Sequence, residues 1–226
     1  MELLEVFYGP AAAFARLREK KWAWVLPAVL VIVSSVATIA MILNKFSVTD
    51  IMEESIARSG QEMPAGAMEQ AAGILTVTMY ASPLITIPII ILILALIQLG
   101  IVKGFAGETT FPRMLNAVTY AMWPWTIVGA VLMAVMLAAA PDLRAFHLEN
   151  PLPLNAGYFL GEDAVGKGFA AMLSGINLLN FYLLYLLSIG TAQLSERVST
   201  GKVMGPLIGI YILWTLGKAG FAALLG

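Results

Sequence analysis

The sequence predicts an all-α membrane protein: a bundle of five transmembrane helices preceded by a short interfacial helix. Three observations carry that prediction. Sixty per cent of the 226 residues are hydrophobic and only 12% are charged, a balance far from that of a soluble domain. Five apolar stretches are long enough to cross a hydrocarbon core of about 30 Å, which takes roughly 20 helical residues. None of the five alternates apolar and polar residues, so they read as helices rather than barrel strands, the other structure that satisfies its own backbone in lipid.

Taken in order, the first element is the leader, residues 1–21. Leu3, Phe7, Phe14 and Leu17 fall near one helical face, and Gly9-Pro10 divides the segment. Pro10 suits the first position of a new helix, where its missing N–H is no loss. The expectation is a cytoplasmic interfacial helix feeding the first span. That span, 22–43, is longer than a signal-peptide core and no Ala-x-Ala site ends it, so it reads as retained. The loop after it opens with Ser47-Val-Thr-Asp50, a capping pattern, and then spaces Ile51, Ser55 and Ile56 as a short amphipathic helix until Met63-Pro64 interrupts. Ala67 to Thr78 is expected to lengthen the second span, 79–102. Pro83 and Pro88 lie in that span and Pro124 in the third, 117–139; kinks are the plain reading of all three, with a gating role as the alternative. A loop rich in Pro, Asn and Gly precedes the fourth span, 168–190. Gly205 and Gly209, four apart in the fifth span, 203–225, read as a close-packing pair.

Basic residues set the expected orientation, because Lys and Arg are retained on the cytoplasmic side of short loops. Arg16, Arg18, Lys20, Lys21, Lys103, Arg113, Arg197 and Lys202 fall on the leader's side, against Lys45, Arg58, Arg144 and Lys167 on the other. The N-terminus is expected in the cytoplasm and, with an odd number of spans, the C-terminus outside.

Composition excludes much chemistry. A net charge of −1 with scattered basic residues argues against nucleic acid, and the absence of cysteine removes disulfides, thiolate nucleophiles and cysteine metal sites. His147 is the only histidine; beside Glu149 in a polar loop it reads as an exposed side chain rather than a catalytic base. Gly161 to Lys167 has the spacing of a phosphate-binding loop, but Gly168 stands where a Ser or Thr must hold magnesium, so no nucleotide is expected. No cofactor is implied. Ser174, Asn177 and Asn180 lie near mid-bilayer in the fourth span. Amides in lipid need partners, supplied by neighbouring helices or, alternatively, by a polar ligand or ion path. Lys218, the charged residue inside a span, is close enough to its end to snorkel.

Several short motifs point the same way. Phe7-Tyr8-Gly9-Pro10, with Phe14 following and Trp22 and Trp24 opening the first span, resembles the entry segment of the Yip family, membrane proteins named for interaction with Rab-type GTPases. Gly107-Glu-Thr-Thr-Phe111, followed by Tyr120 and Pro124, is similar to that family's Gly-x-x-Thr-Phe turn and third span, and Gly190 with 194–202 is similar to its last loop. The resemblance implies five spans, a cytoplasmic N-terminus and a role in protein interaction or membrane organisation without catalysis. The short leader looks like the compact bacterial type, which implies a bacterial cytoplasmic membrane as the location, and Rab binding is not carried over. The expected partners are membrane lipids and a protein partner or second copy, read through Phe7, Tyr8, Gly9, Pro10 and Phe14. The rival expectation is a small transporter or permease component for a lipid or other apolar cargo.

Overall fold

The structure, a computed structural model, describes residues 1–59, 67–146, 148 and 150–225. The Met63-Pro64 interruption and the His147–Glu149 pair lie outside these residues.

Among the described residues every regular element is a helix. The leader forms α1 (Glu2–Glu5) and α2 (Pro10–Arg16), with Gly9 as N-cap and Pro10 at the first helical position as its sequence dictates. Helix α3 (Val25–Lys45) is the first span. Helix α4 (Val48–Ser59) starts on the expected cap: Asp50 N donates to Ser47 Oγ at 3.1 Å and Ser47 N to Asp50 Oδ2 at 2.9 Å. These bonds hold the Asp50 carboxyl below its ordinary value, the side-chain bond from Ser47 having the larger effect. Helix α5 (Ala67–Gly104) runs for 38 residues, about 57 Å at 1.5 Å per residue, and so projects well beyond a bilayer. The expected lengthening from Ala67 is present, and α4 packs on the projecting part. Helix α6 (Phe111–Ala139) takes Pro112 in its first turn and keeps Pro124 within.

The chain then runs through α7 (Leu143–Phe146), α8 (Ala156–Val165), α9 (Lys167–Gly175), α10 (Leu178–Gln193) and α11 (Thr200–Leu225). Four of these helices, α3, α5, α6 and α11, are long and apolar enough to cross a membrane, and the chain is an integral membrane protein. The expected fourth span differs from its sequence reading. Residues 168–190 do not form one helix: the chain leaves the helical path at Ile176 and Asn177, dividing the segment into nine-residue α9 and sixteen-residue α10.

Packing explains the division. Helix α6 is the centre of the bundle, covered by α3, α5 and α10, while α9 lies along the far half of α11. A side-chain carbon at Gly175 would stand 2.4 Å from Thr215 Cγ2, and one at Gly168 would stand 2.8 Å from Ala223 Cβ. Both glycines therefore let α9 and α11 touch backbone to side chain. Gly205 and Gly209 do not act in this way, since a Cβ at either would meet nothing within 4 Å. The main core joins Phe14, Leu17, Val102, Met114, Val118, Leu186, Leu187 and Leu194 at the leader end. A second, smaller core at the opposite end packs Phe46, Leu137, Ala140 and Phe146, with the two phenylalanine rings 5.5 Å apart. Lys45 ties that end together. Its ammonium donates to the carbonyls of Leu137 and, at 2.5 Å, Ala140, acceptors that the end of α6 leaves free.

Candidate functional site

At the leader end, buried side chains and hydrogen bonds join three segments into one surface. Val6, Ala13, Phe14 and Leu17 are all fully buried, so the apolar face of the leader is turned into the bundle and not toward headgroups. The reason is Gly190 of α10: a Cβ there would stand 2.8 to 3.1 Å from three carbons of the Phe14 ring, and only glycine leaves the seat open.

Polar bonds fix the leader over that seat. Asn116 Nδ2 donates to the Lys20 carbonyl at 2.6 Å and to that of Leu17 at 3.4 Å, while Arg113 Nε donates to the Arg18 carbonyl at 3.0 Å. Arg18 in turn reaches the loop after α10, its Nη2 donating to the Ser195 carbonyl at 2.9 Å. Within the leader, Arg16 pairs with Glu5 at 2.5 Å and Lys20 with Glu2 at 2.7 Å. The hydrogen bond from Lys20, and then one to its own backbone, hold the Glu2 carboxyl down at about 2 against the opposing effect of burial. A lowered pKa stabilises the packing of α1 on the rest of the leader fully above the ordinary value of 4.5, and that contribution is lost as pH falls from 4.5 through about 2. Acidification across that window is expected to loosen α1 from the rest of the leader, read as increased mobility of a spin label at exposed Leu4. A Lys20→Met variant should show a smaller change over the same range, and an equal change would exclude this pair as the cause.

The two loops at this end are joined to each other as well. Glu108 and Glu196 exchange backbone bonds of 3.3 and 2.8 Å in an isolated antiparallel bridge, and Thr109 Oγ1 donates to the Leu194 carbonyl at 2.9 Å. The close approach depends on Gly107, where a Cβ would stand 2.3 Å from Val198 Cγ2 and 2.9 Å from the Glu196 carbonyl. Ala106 and Arg197, flanking the bridge, adopt φ of 53° and 66°, the left-handed region that most side chains avoid. The leader, the loop between α5 and α6 and the loop between α10 and α11 thus form one hydrogen-bonded platform.

Of the leader residues singled out from sequence, the platform places Gly9 and Pro10 in the turn and Phe14 in the core. Tyr8 is 79% exposed and Phe7 37%, and with Leu4 at 70% they make an apolar outer face. Trp22, exposed and 6.3 Å from Trp24, adjoins the exposed Val25 and Leu26 at the start of α3. Sequence reading missed Asn116, Arg113, Arg18 and Ser195 as the clasp. Asn116, a buried amide at the start of an apolar span, was the available signal.

Ser174, Asn177 and Asn180 come together around the break between α9 and α10. Asn177 caps α10, its Oδ1 accepting from Leu179 N at 2.9 Å, so its bond is local and not the interhelical one expected of it. Asn180 does bond between helices, donating to Tyr211 Oη of α11 at 2.8 Å, and the Tyr211 hydroxyl donates to the Gly175 carbonyl. Ser174 Oγ accepts from Asn150 at 3.1 Å; Asn150 and Asn155 pair amide to amide at 2.9 and 3.0 Å, and Asn155 forms an isolated bridge with Asn177. These groups satisfy one another, which is what an unwound turn inside a bundle requires. The Gly161 to Lys167 run is helical as far as Val165, so its backbone does not form the loop that cradles a phosphate.

The profile of the Yip1 domain matches residues 4–224, from the leader to the last turn of α11. The chain belongs to the Yip1 domain family. Searches of curated proteins and of solved structures return no match. The Yip1 domain match takes in the leader together with both loops of the platform, so these elements belong to the domain itself.

Proposed function

We propose that this Yip1 domain protein is a non-catalytic membrane protein that organises or recruits other proteins through its leader end. The observation that carries this reading is the clasp: a leader locked by Phe14 against α10, by Asn116 and Arg113 of α6 and by Arg18 onto one of two bridged loops, with Leu4, Phe7 and Tyr8 left on its outside. A surface held in one geometry while its outer apolar residues stay uncovered suits recognition, because little order has to be imposed on binding. The basic bias supports placing this end in the cytoplasm, with α9 and α10 together completing a fifth crossing and the C-terminus outside.

The test places a photo-crosslinking residue at Tyr8 in native membranes, beside a cytoplasm-only fluorescent reporter on each terminus in turn. A recurrent protein adduct that disappears in a Phe14→Ala background, with fluorescence from the N-terminal fusion alone, is the expected result. Lipid adducts alone, or fluorescence from the C-terminal fusion alone, would sink the reading.

A further inference from the structure

Amides and hydroxyls enclosed among apolar helices have to find partners, because neither lipid nor a hydrocarbon core supplies any. Several in these spans do so locally: Thr119, Thr126 and Ser188 each donate to the carbonyl four residues back, at 2.9, 2.9 and 2.7 Å. Three groups near the leader end do not. Gln98 of α5, Asn116 of α6 and Thr191 of α10 are all 0% exposed. Among the described residues, neither polar atom of the Gln98 amide has a partner, nor does Thr191 Oγ1. Asn116 commits its Nδ2 to the leader carbonyls and leaves its Oδ1 unpaired.

The three lie at similar depth. By helix rise, Gln98 is about 9 Å in from the end of α5, Asn116 about 7.5 Å from the start of α6 and Thr191 about 3 Å from the end of α10, all ends on the leader side. Gln98 faces inward, since Ile91, Ala95 and Val102 on the same side of α5 belong to the main core, as do Leu187 and Leu194 about one turn either side of Thr191. The chemistry of the groups selects what can meet them. Gln98 and Thr191 each offer a donor as well as an acceptor, and Asn116 Oδ1 accepts. Water matches that set, because it donates and accepts at once and makes two to four bonds when buried. A metal cation does not match, because donor hydrogens point at the site and α5 has no charged residue between Glu69 and Lys103.

We propose that ordered water is bound inside the leader end of the bundle, held by the Gln98 amide, Thr191 Oγ1 and Asn116 Oδ1. It gives α5, α6 and α10 a hydrogen-bonded connection in their apolar core, as Asn180 and Tyr211 give α10 and α11 one directly. Asn116 serves both sides, with leader carbonyls on its Nδ2 and water on its Oδ1. The proposal stands whichever partner the outer face of the leader meets.

The test combines thermal unfolding of the full chain in detergent with a crystal structure from a lipidic mesophase, at a resolution that shows ordered water. Gln98→Met nearly keeps the length and volume of the side chain and removes its hydrogen-bonding atoms. With water bound, the variant loses those bonds and its Tm falls by about 2–4 °C; with the amide unpaired, the change relieves a penalty and the Tm rises. Thr191→Val makes the same distinction on α10, so the proposal stays testable if Gln98→Met does not fold. In the crystal, water is expected within hydrogen-bond reach of Gln98 and of Thr191 or Asn116. An unchanged or raised Tm in both variants, or a structure in which the three groups meet only protein atoms, overturns the proposal; where Tm and density disagree, the density decides.

Discussion

Replacing Phe14 with Ala will release the leader from the bundle. Its ring is fully buried against Gly190, and removing a buried phenylalanine costs about 3–5 kcal/mol where neighbours cannot collapse into the space. The leader is short, and what remains to hold it on the bundle is Leu17, Val6 and Ala13 and the bonds from Asn116, Arg113 and Arg18, since its ion pairs Arg16–Glu5 and Lys20–Glu2 join only parts of the leader to each other. The loss therefore appears as undocking, with the spans still inserted. A spin label at exposed Ala12 should be ordered in the unmodified protein, mobile in Phe14→Ala and ordered in Phe7→Ala, because Phe7 is already more than a third exposed. Should the label be fully mobile in the unmodified protein, the platform does not exist and the proposed interaction surface goes with it.

A second large effect is expected at the break in the fourth apolar segment. Gly175→Ala places a carbon 2.4 Å from Thr215 Cγ2 and 3.1 Å from its Oγ1, contacts that force α9 away from α11. Overpacking of this kind costs about 1–3 kcal/mol, and it also pulls the Gly175 carbonyl from the Tyr211 hydroxyl, loosening the bond between Asn180 and Tyr211. Thermal unfolding in detergent should show the loss. Thr215→Ala in the same chain should restore most of it, since the two nearest atoms are then gone and only the Cβ of residue 215, at 3.3 Å, remains. By comparison, Asn180→Leu alone should cost only about 0.6 kcal/mol, the usual worth of one hydrogen bond between membrane helices. Failure of the Thr215 change to rescue would mean that the close contact is not what limits Gly175.

Local features were legible from the residues themselves. The capping bonds between Ser47 and Asp50, the entry of Pro10 at the first position of α2, the extension of α5 from Ala67 and the runs of α3, α5, α6 and α11 each depend on a few neighbouring residues or on the length of one apolar stretch. The motif at Gly107 was visible too. Its purpose was not, because the crowding comes from Val198 and Glu196, far along the chain.

Other features depended on which apolar surface met protein and which met lipid, and a hydrophobic residue is compatible with either. Phe14 and Leu17 fit a headgroup boundary as well as a core, and Gly190 decided for the core. Gly205 and Gly209 have the spacing of a packing pair, yet the surface beside them is open, while the helix contact is made through Gly168 and Gly175. The fourth segment is apolar enough for one continuous helix, and its break at Ile176 and Asn177 follows from Asn155 pairing there, Tyr211 reaching the Gly175 carbonyl and α9 lying close on α11. By itself the sequence determined that this chain crosses a membrane as helices, because lipid leaves its backbone almost no other choice. Tertiary packing alone decided where a helix stops inside the bundle and which face of the leader is hidden, because those outcomes depend on the shape of a distant neighbour.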